Sequence, residues 1–486
     1  MFLTFDDFEK AEDKESFILS AIANHKGSDE YKLALIADEY DAQKNTTITG
    51  VVRTIYNAQG IEVNDYTVSN SKIASNFFNR LNTQRCMYSL GNGITFVDPY
   101  EAATGDIEDT SKKALGPHFD HVLKEAGYHA LIHGVSYMFW NMDRAYEFKM
   151  TEFVPLVDES TGVMRAGIRF WQLAETKPLN VVLYEEDGYT RYKTGKRDED
   201  GGTGGLEVVE PKRAYKVKYE YTDAGDILHT DEENYSSLPV VRVYASRLKQ
   251  STLVGMRQSI DAYDMISSGF ANDIIDCAQV YWIVENYGGM DEADLAEFLD
   301  KLKYNHIANI DTSSGGAVTP YKQDIPTHGR STFLAEIRQR IFEDFGALDV
   351  HEIAEGATND HVDAAYQPMD ENAADFEHWI GDAVSQLLRL QGIDDEPIFH
   401  RARISNQLQQ TEMVLAEAPY LDRATLLRKL PNLTPEEVEA ILENTEEEML
   451  AQQAMLAQQA EEQMLKGNTQ KKEQAEEEEP EPNDGM

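Results

Sequence analysis

Between Leu253 and Ile393 the chain carries three apolar stripes at helical spacing, and they restrict its fold more than any other stretch. Leu253, Met256, Ile260, Tyr263, Phe270, Ile274 and Cys277 recur at steps of three and four, with Ser267 in the one missing place, and predict a helix over 251–280. Leu334, Ile337, Ile341, Phe345 and Leu348 predict a second over 329–350, with Ser331 and Thr332 as N-cap candidates. Val362, Tyr366, Met369, Ala373, Phe376, Ile380, Ala383 and Leu387 predict a third over 361–393. Pro368 should kink it, and Gly392 should end it. Two stalk helices enclose no core of their own, so their apolar faces call for neighbours, which a ring of identical subunits would supply. Met256, Ile260, Tyr263, Phe270, Ile337, Arg338, Ile341 and Phe345 are the candidate contacts.

The connections differ in character. Over 281–328, Tyr281 to Glu285 reads as a strand, Glu292 to Leu302 as a short amphipathic helix and Ile307 to Asp311 as a strand. Gly315-Gly316 then turns the chain before Val318, giving a small α/β knob at the tip of the stalk. His351 to Asp360 is polar and contains Gly356. It reads as an exposed loop, either an ordinary helix connection or a projection into whatever passes by.

Upstream, Phe5 to Ala23, Tyr31 to Ala42, Ser69 to Leu90 and Phe119 to His133 have helical spacing, with a first strand beginning at Ile94. From Gly134 the pattern turns to β: Val135 to Met142, Glu152 to Val157, Ala166 to Gln172, Val181 to Tyr184, Ala214 to Tyr221 and Pro239 to Tyr244. Residues 1–250 thus form a β-rich platform with leading helices. After an extended Ile398 to Ile404, helices punctuated by Pro419, Pro431 and Pro435 run to 466, and 467–486 reads as a disordered acidic tail. The fold class is α+β.

Charge narrows the function. The chain has 44 Lys and Arg against 87 Asp and Glu, a net charge of −43, the wrong sign for gripping nucleic acid through its phosphates. Cys86 and Cys277 are too few for a disulfide framework or a thiolate metal site and read as buried thiols in a reducing compartment. The acidic N-terminus and the lack of a long apolar run suggest a soluble protein made in a cytoplasm.

Catalytic motifs fail at specific positions. Gly195-Lys196 is followed by Arg197 and lacks the glycine spacing of a phosphate loop, and His351-Glu352 is followed by Glu355 where a zincin needs its second histidine. Asp311-Thr312-Ser313 lacks the glycine of an aspartic-protease loop, and Ser136 lacks the glycines of a nucleophile elbow. No catalytic, cofactor-binding or metal-binding residue is nominated. A Mg-dependent nuclease or processing enzyme, and an acidic helical assembly scaffold, stand as alternatives.

From about Phe17 to Glu443 the chain resembles the portal proteins of tailed bacteriophages, the siphophage-type group. The likeness rests on an ordered series of stretches: EYDAQKNTTI, NSKIASNFFNRL, GNGITF, GVSYMFWNMD, IRFW, LPVVRVY, MRQSIDAYDMISSGFANDIIDCA, AEIRQRIFEDFGALDV and TLLRKLPNLTPEEVEAILE. The loop before the third helix, GATNDHVDAAY, departs from the Ser-Gly of many relatives. The resemblance implies a dodecameric ring subunit at a capsid vertex, a virion component without enzymatic activity. Its parts would be a wing (1–250), stem helices (251–280 and 329–350), a clip (281–328), a tunnel loop (351–360), a spine helix (361–393) and crown helices (394–466). In the tunnel loop, His351, Glu352, Glu355, Gly356, Asn359 and Asp360 would face the channel; in the clip, Glu292, Asp294, Lys301 and Lys303 would meet partners. Those partners would be the terminase large subunit, a head-tail connector or adaptor, the major capsid protein and a scaffolding protein, with double-stranded DNA passing through and no membrane. Arg330, Arg338 and Arg340 would pair between subunits or touch the channel sparsely.

Overall fold

The structure, a computed structural model, describes residues 4–57, 59–66, 68–100, 108–174, 176–195, 205–221, 227–277, 281–285, 317–321, 327–349, 359–403 and 407–476. Thr4 caps α1 (Phe5–Lys10) in a reciprocal box with Asp7. Asp13 caps α2 (Lys14–Gly27) by accepting from the amides of Glu15 and Ser16, which splits the helix expected from Phe5 to Ala23 in two. Ser28 caps α3 (Asp29–Asp41), and α4 (Thr46–Thr49) is a single turn. A hairpin of β1 (Thr54–Tyr56) and β2 (Glu62–Asn64) precedes α5 (Phe77–Leu90). After β3 (Ile94–Thr95) come α6 (Thr110–Leu115) and α7 (Phe119–His133). Gly134, at φ +90°, ends α7 with its N–H on the Ala130 carbonyl, where a side chain would strike the Gln250 backbone.

Two antiparallel sheets follow. β4 (Val135–Asn141), β5 (Arg144–Lys149) and β13 (Val240–Tyr244) align in the order β13-β4-β5, with Val240 opposite Phe139 and Tyr137 opposite Phe148. β6 (Phe153–Val157), β7 (Met164–Trp171), β8 (Asn180–Glu185), β9 (Gly188–Thr194) and β10 (Leu206–Arg213) align as β10-β9-β8-β7-β6. β11 (Lys216–Tyr221) and β12 (Ile227–Glu233) form a separate hairpin. Strands β5, β9, β10 and β12 escape the sequence reading because they carry charge. In β9, for instance, Thr190 and Tyr192 are buried while Arg191 and Lys193 face solvent.

Side-chain alternation assigns the two faces of the five-stranded sheet. Val181 and Leu183 join Val154, Leu156, Ile168 and Phe170 against Phe8, Ile18 and Ile22 of the first two helices. Val182 and Tyr184 face the other way, into a core with Phe139, Trp140, Phe148 and Leu131. That core also holds Phe376, Ile380, Ala383, Val384 and Leu387 of α10 (Asn359–Arg389), the expected third helix, continuous through Pro368.

The stalk helices are α8 (Leu253–Cys277) and α9 (Thr327–Phe345). The latter begins before the N-cap candidates Ser331 and Thr332, and Gly346 at φ +62° ends it. Beyond them β14 (Tyr281–Glu285) pairs antiparallel with β15 (Ala317–Tyr321), bearing out the strand read at Tyr281. β16 (Ile398–Phe399) pairs with β3, and α11 (Gln407–Glu417), α12 (Arg423–Lys429) and α13 (Pro435–Glu476) complete the chain. The tail was expected from 467, but α13 continues to Glu476. Gln, Lys, Glu and Ala beyond Gly467 are strong helix formers, and one glycine does not stop them. The architecture, helices with antiparallel sheets, is α+β.

Candidate functional site

The base of the stalk is a closed core, contrary to expectation. Leu253, Met256 and Ile260 of α8 meet Ile337, Ile341, Phe342 and Phe345 of α9, and Ala37, Tyr40, Phe77, Phe78 and Leu81 cover them. Tyr263 packs on this core edge-on to Phe77, ring centroids 5.0 Å apart. Met256, Ile260, Ile337, Ile341 and Phe345 therefore do not wait for a neighbouring subunit, because the N-terminal helices supply the missing wall. Higher up the stalk Phe270 is half-buried, and Met265, Ile274, Ile275 and Phe333 are exposed.

The arginines also find partners inside the chain. Arg330 pairs with Asp273 and lies over the Phe270 ring, tying the upper stalk together. Arg338 reaches Asp349 at 2.7 Å, and Arg340 reaches Asp344 one turn on at 3.3 Å. Each of these pairs lies within the chain, and Arg340 remains largely exposed.

The polar side of α8 holds what the periodicity missed. Asp264, Ser268 and Asn272, four residues apart on one face and all buried, accept from alternate backbone amides of a neighbouring extended segment. Ser75 N–H donates to Asp264 Oδ1 at 2.9 Å, Ile73 N–H to Ser268 Oγ at 2.9 Å and Ser71 N–H to Asn272 Oδ1 at 2.6 Å. Residues 69–76, read as the start of a helix, are thus outside it, and α5 starts only at Phe77. A step of two along the strand, about 6.6 Å, matches a step of four along the helix, about 6 Å, so the ladder stays in register. Asn45 Nδ2 adds a bond to Asp264 and another to the Ser75 carbonyl. Burial raises the Asp264 pKa, Asn45 and Ser75 pull it down, and the charge of Asp261 raises it again. Asp261 accepts from Tyr40 and from Thr47 Oγ1 at 2.8 Å.

A second joint fixes the base of the stalk to α10. Arg85 donates to the Phe345 carbonyl at 2.6 Å and lies 4.1 Å from the Phe345 ring centroid, while Gln84 Nε2 donates to the Leu348 carbonyl at 3.0 Å. Asn372 Nδ2 reaches the carbonyls of Pro368 and Phe345. Tyr88 donates to Asp370 at 2.6 Å, where Arg401 and Arg403 converge, and Arg401 also grips Glu377 at 2.7 Å. Asp370 responds first to burial, which raises its pKa. Tyr88 and Arg403 overcome this and leave it lowered.

Asn359 and Asp360 open α10 instead of lying in the preceding loop. His351, Glu352, Glu355 and Gly356, and the knob residues Glu292, Asp294, Lys301 and Lys303, lie outside the described residues, as do the knob's expected helix and its strand at Ile307. Cys86 is buried as expected, and burial pushes its thiol up to about 12. Among the described residues no group of three or more His, Cys, Asp or Glu side chains is placed to hold a metal ion. None of the described helices is long and apolar enough to cross a membrane. The arrangement does mechanical work: it holds two long helices rigidly at their base.

The chain is 34% identical over 117 residues to the portal protein of Clostridium phage phiCD119, covering 24% of this chain and 25% of that one. It is 22% identical over 324 residues to the portal protein of Bacillus phage SPP1, covering 65% of this chain and 61% of that one. The matched stretch thus spans less than two thirds of either relative. The family described as "Phage portal protein, SPP1 Gp6-like" matches residues 24–450, most of the sequence, and the chain belongs to that family.

Proposed function

We propose that the protein is a structural, non-catalytic subunit of a ring, dodecameric by the family likeness, at one vertex of a phage capsid, and that double-stranded DNA enters and leaves through its channel. The observation that carries this reading is the stalk: two antiparallel helices locked at their base, with exposed Met265, Ile274, Ile275 and Phe333 left along the upper half for a neighbour. In this scheme 1–250 with 361–393 is the wing, 251–280 and 329–350 the stem, and 281–328 the clip. The clip residues Glu292, Asp294, Lys301 and Lys303 would meet the terminase large subunit and later a connector. Loop 351–358, with His351, Glu352, Glu355 and Gly356, and the start of α10 at Asn359 and Asp360 would face the channel, and the crown would occupy 394–466. The major capsid protein and a scaffolding protein would contact the outer ring.

Charge supports a conduit. Each copy brings −43, so DNA gains little from counterion release and can slide. Negative-stain images of the purified protein should show closed rings with a central hole. A compact monomer at every concentration refutes the proposal.

A further inference from the structure

At the root of the stalk the charge of the chain reverses. Residues 234–260 hold four basic side chains (Arg242, Arg247, Lys249 and Arg257) and no acidic one, in a chain with 44 basic and 87 acidic. The loop between β13 and α8 presents Leu248, 65% exposed, between the exposed Arg247 and Lys249. This loop is firmly held. Lys249 lies in the left-handed region at φ +51°, uncommon for a residue with a side chain, and its N–H meets the Ser246 carbonyl at 3.1 Å. Its ammonium turns inward, 4.5 Å from the Tyr244 ring centroid and 5.0 Å from that of Trp379. Arg247 N–H donates to Asp375 Oδ2 at 3.3 Å, and Thr252 N–H to the Leu131 carbonyl at 3.0 Å. What the loop offers outward is therefore one guanidinium and one leucine, on a backbone that loses little freedom on docking.

A head-to-tail ring needs two different patches on every chain, each complementary to the other. The cleft at the α2–α3 turn has the matching character. It measures about 610 Å3, over a floor of Ala21, Met150, Val154 and Pro155, and Asp29 and Glu30 stand exposed on its rim. Lys32 holds Asp29 loosely, at 3.6 Å, so Glu30 is the carboxylate left for an incoming cation. DNA is the poorer occupant of the loop. A single outward arginine gives little hold on a phosphate backbone, and the leucine beside it finds nothing apolar there.

We infer that the loop 246–250 docks in the α2–α3 cleft of a second copy of this chain, with Leu248 on the apolar floor and Arg247 against Glu30. The inference rests on the ring reading and names the two patches that join neighbours. Arg247, Leu248 and Glu30 are all exposed in the single subunit, so replacing them leaves the fold intact.

The test is a charge swap read by mass photometry across a concentration series: wild type, Arg247→Glu, Glu30→Arg and the double variant. A photo-crosslinking residue at Leu248, in a mixture of isotopically light and heavy chains, gives a second readout. Expected are wild-type rings, a rise of about tenfold or more in the concentration for half-assembly of each single variant, and recovery to within about threefold of wild type in the double. Crosslinks from Leu248 should join two chains and fall in 21–30 or 150–155. Wild-type rings with unaffected single variants, or with a double variant no better than the singles, overturn the inference and leave the ring reading standing. So do Leu248 crosslinks that fall only elsewhere on a second chain, only within one chain, or only on DNA or another protein. Wild-type protein that never assembles overturns the ring reading, and the inference falls with it.

Discussion

Replacing Asp264 with alanine tests the strand-on-helix ladder directly. The wild-type carboxylate is fully buried and accepts from Ser75 N–H at 2.9 Å and from Asn45 Nδ2. Truncation strands two buried donors, each costing about 1–3 kcal/mol. Part of this is returned, because burial, which raises the Asp264 pKa, shows that the charge itself is unfavourable there. A net loss of about 2–3 kcal/mol corresponds to roughly 30- to 150-fold more local opening. Hydrogen-exchange mass spectrometry of the peptide covering 69–76 reads this opening, with the five-stranded sheet as internal control. Asp264→Asn keeps the acceptor for Ser75 N–H and removes the charge but sets an NH2 against the Asn45 donor, so its loss should fall between wild type and Asp264→Ala. The pH response has a definite sign. A carboxyl whose folded pKa is raised above its ordinary 3.8 contributes stability that is fully present below that value and lost as pH rises through the folded pKa. Protection of 69–76 should therefore increase as wild type is acidified toward pH ~4, a trend missing from Asp264→Asn. If Asp264→Ala exchanged within about threefold of wild type in this peptide, the ladder would not be what holds the strand.

Three other outcomes follow from the joints. Gly346→Ala forces a side chain into the left-handed region and 2.1 Å from Asn372 Nδ2; a loss of about 1–3 kcal/mol is expected in urea unfolding. Arg85→Ala removes a bond to the Phe345 carbonyl and a ring contact, for a loss of about 2 kcal/mol, and Arg85→Lys, which keeps charge without the planar fork, should fall between it and wild type. Asp370 is a depressed carboxyl, so its contribution is present above the unfolded pKa of about 3.9 and lost as pH falls through the folded one. Acid unfolding monitored near Tyr88 should be steeper in wild type than in Asp370→Asn.

The long elements were legible because one physical rule governs them. The α10 stripe from Tyr366 to Leu387 is buried along its whole length, first against Tyr88 and Leu348 and then in the main core, so its spacing survives as a pattern, and the β8 run Val181 to Tyr184 reads as a strand because both faces are covered. Charged strands such as Arg144–Lys149 and Leu206–Arg213 were hidden, since part of the first and most of the second face solvent. The larger error lay at 69–76, where Ile73 and Phe77 mimic a helical face. Local periodicity loses there to long-range capture of backbone amides by side chains nearly two hundred residues away. The four-residue step of Asp264, Ser268 and Asn272 was visible, yet a polar stripe on a helix ordinarily means solvent. The same blindness to distant chain made the stalk stripes seem unclosed, because nothing in them announces Phe77, Phe78 and Leu81 as their lid.

The fastening of 69–75 along the upper stalk makes α8 a lever as well as a wall. Its anchor points lie beyond the apolar base, between Asp264 and Asn272, so any tilt or twist of the helix carries the hairpin at Thr54–Asn64 with it. The link from α8 to the segment that follows the hairpin is thus made of three hydrogen bonds and involves none of the sheets.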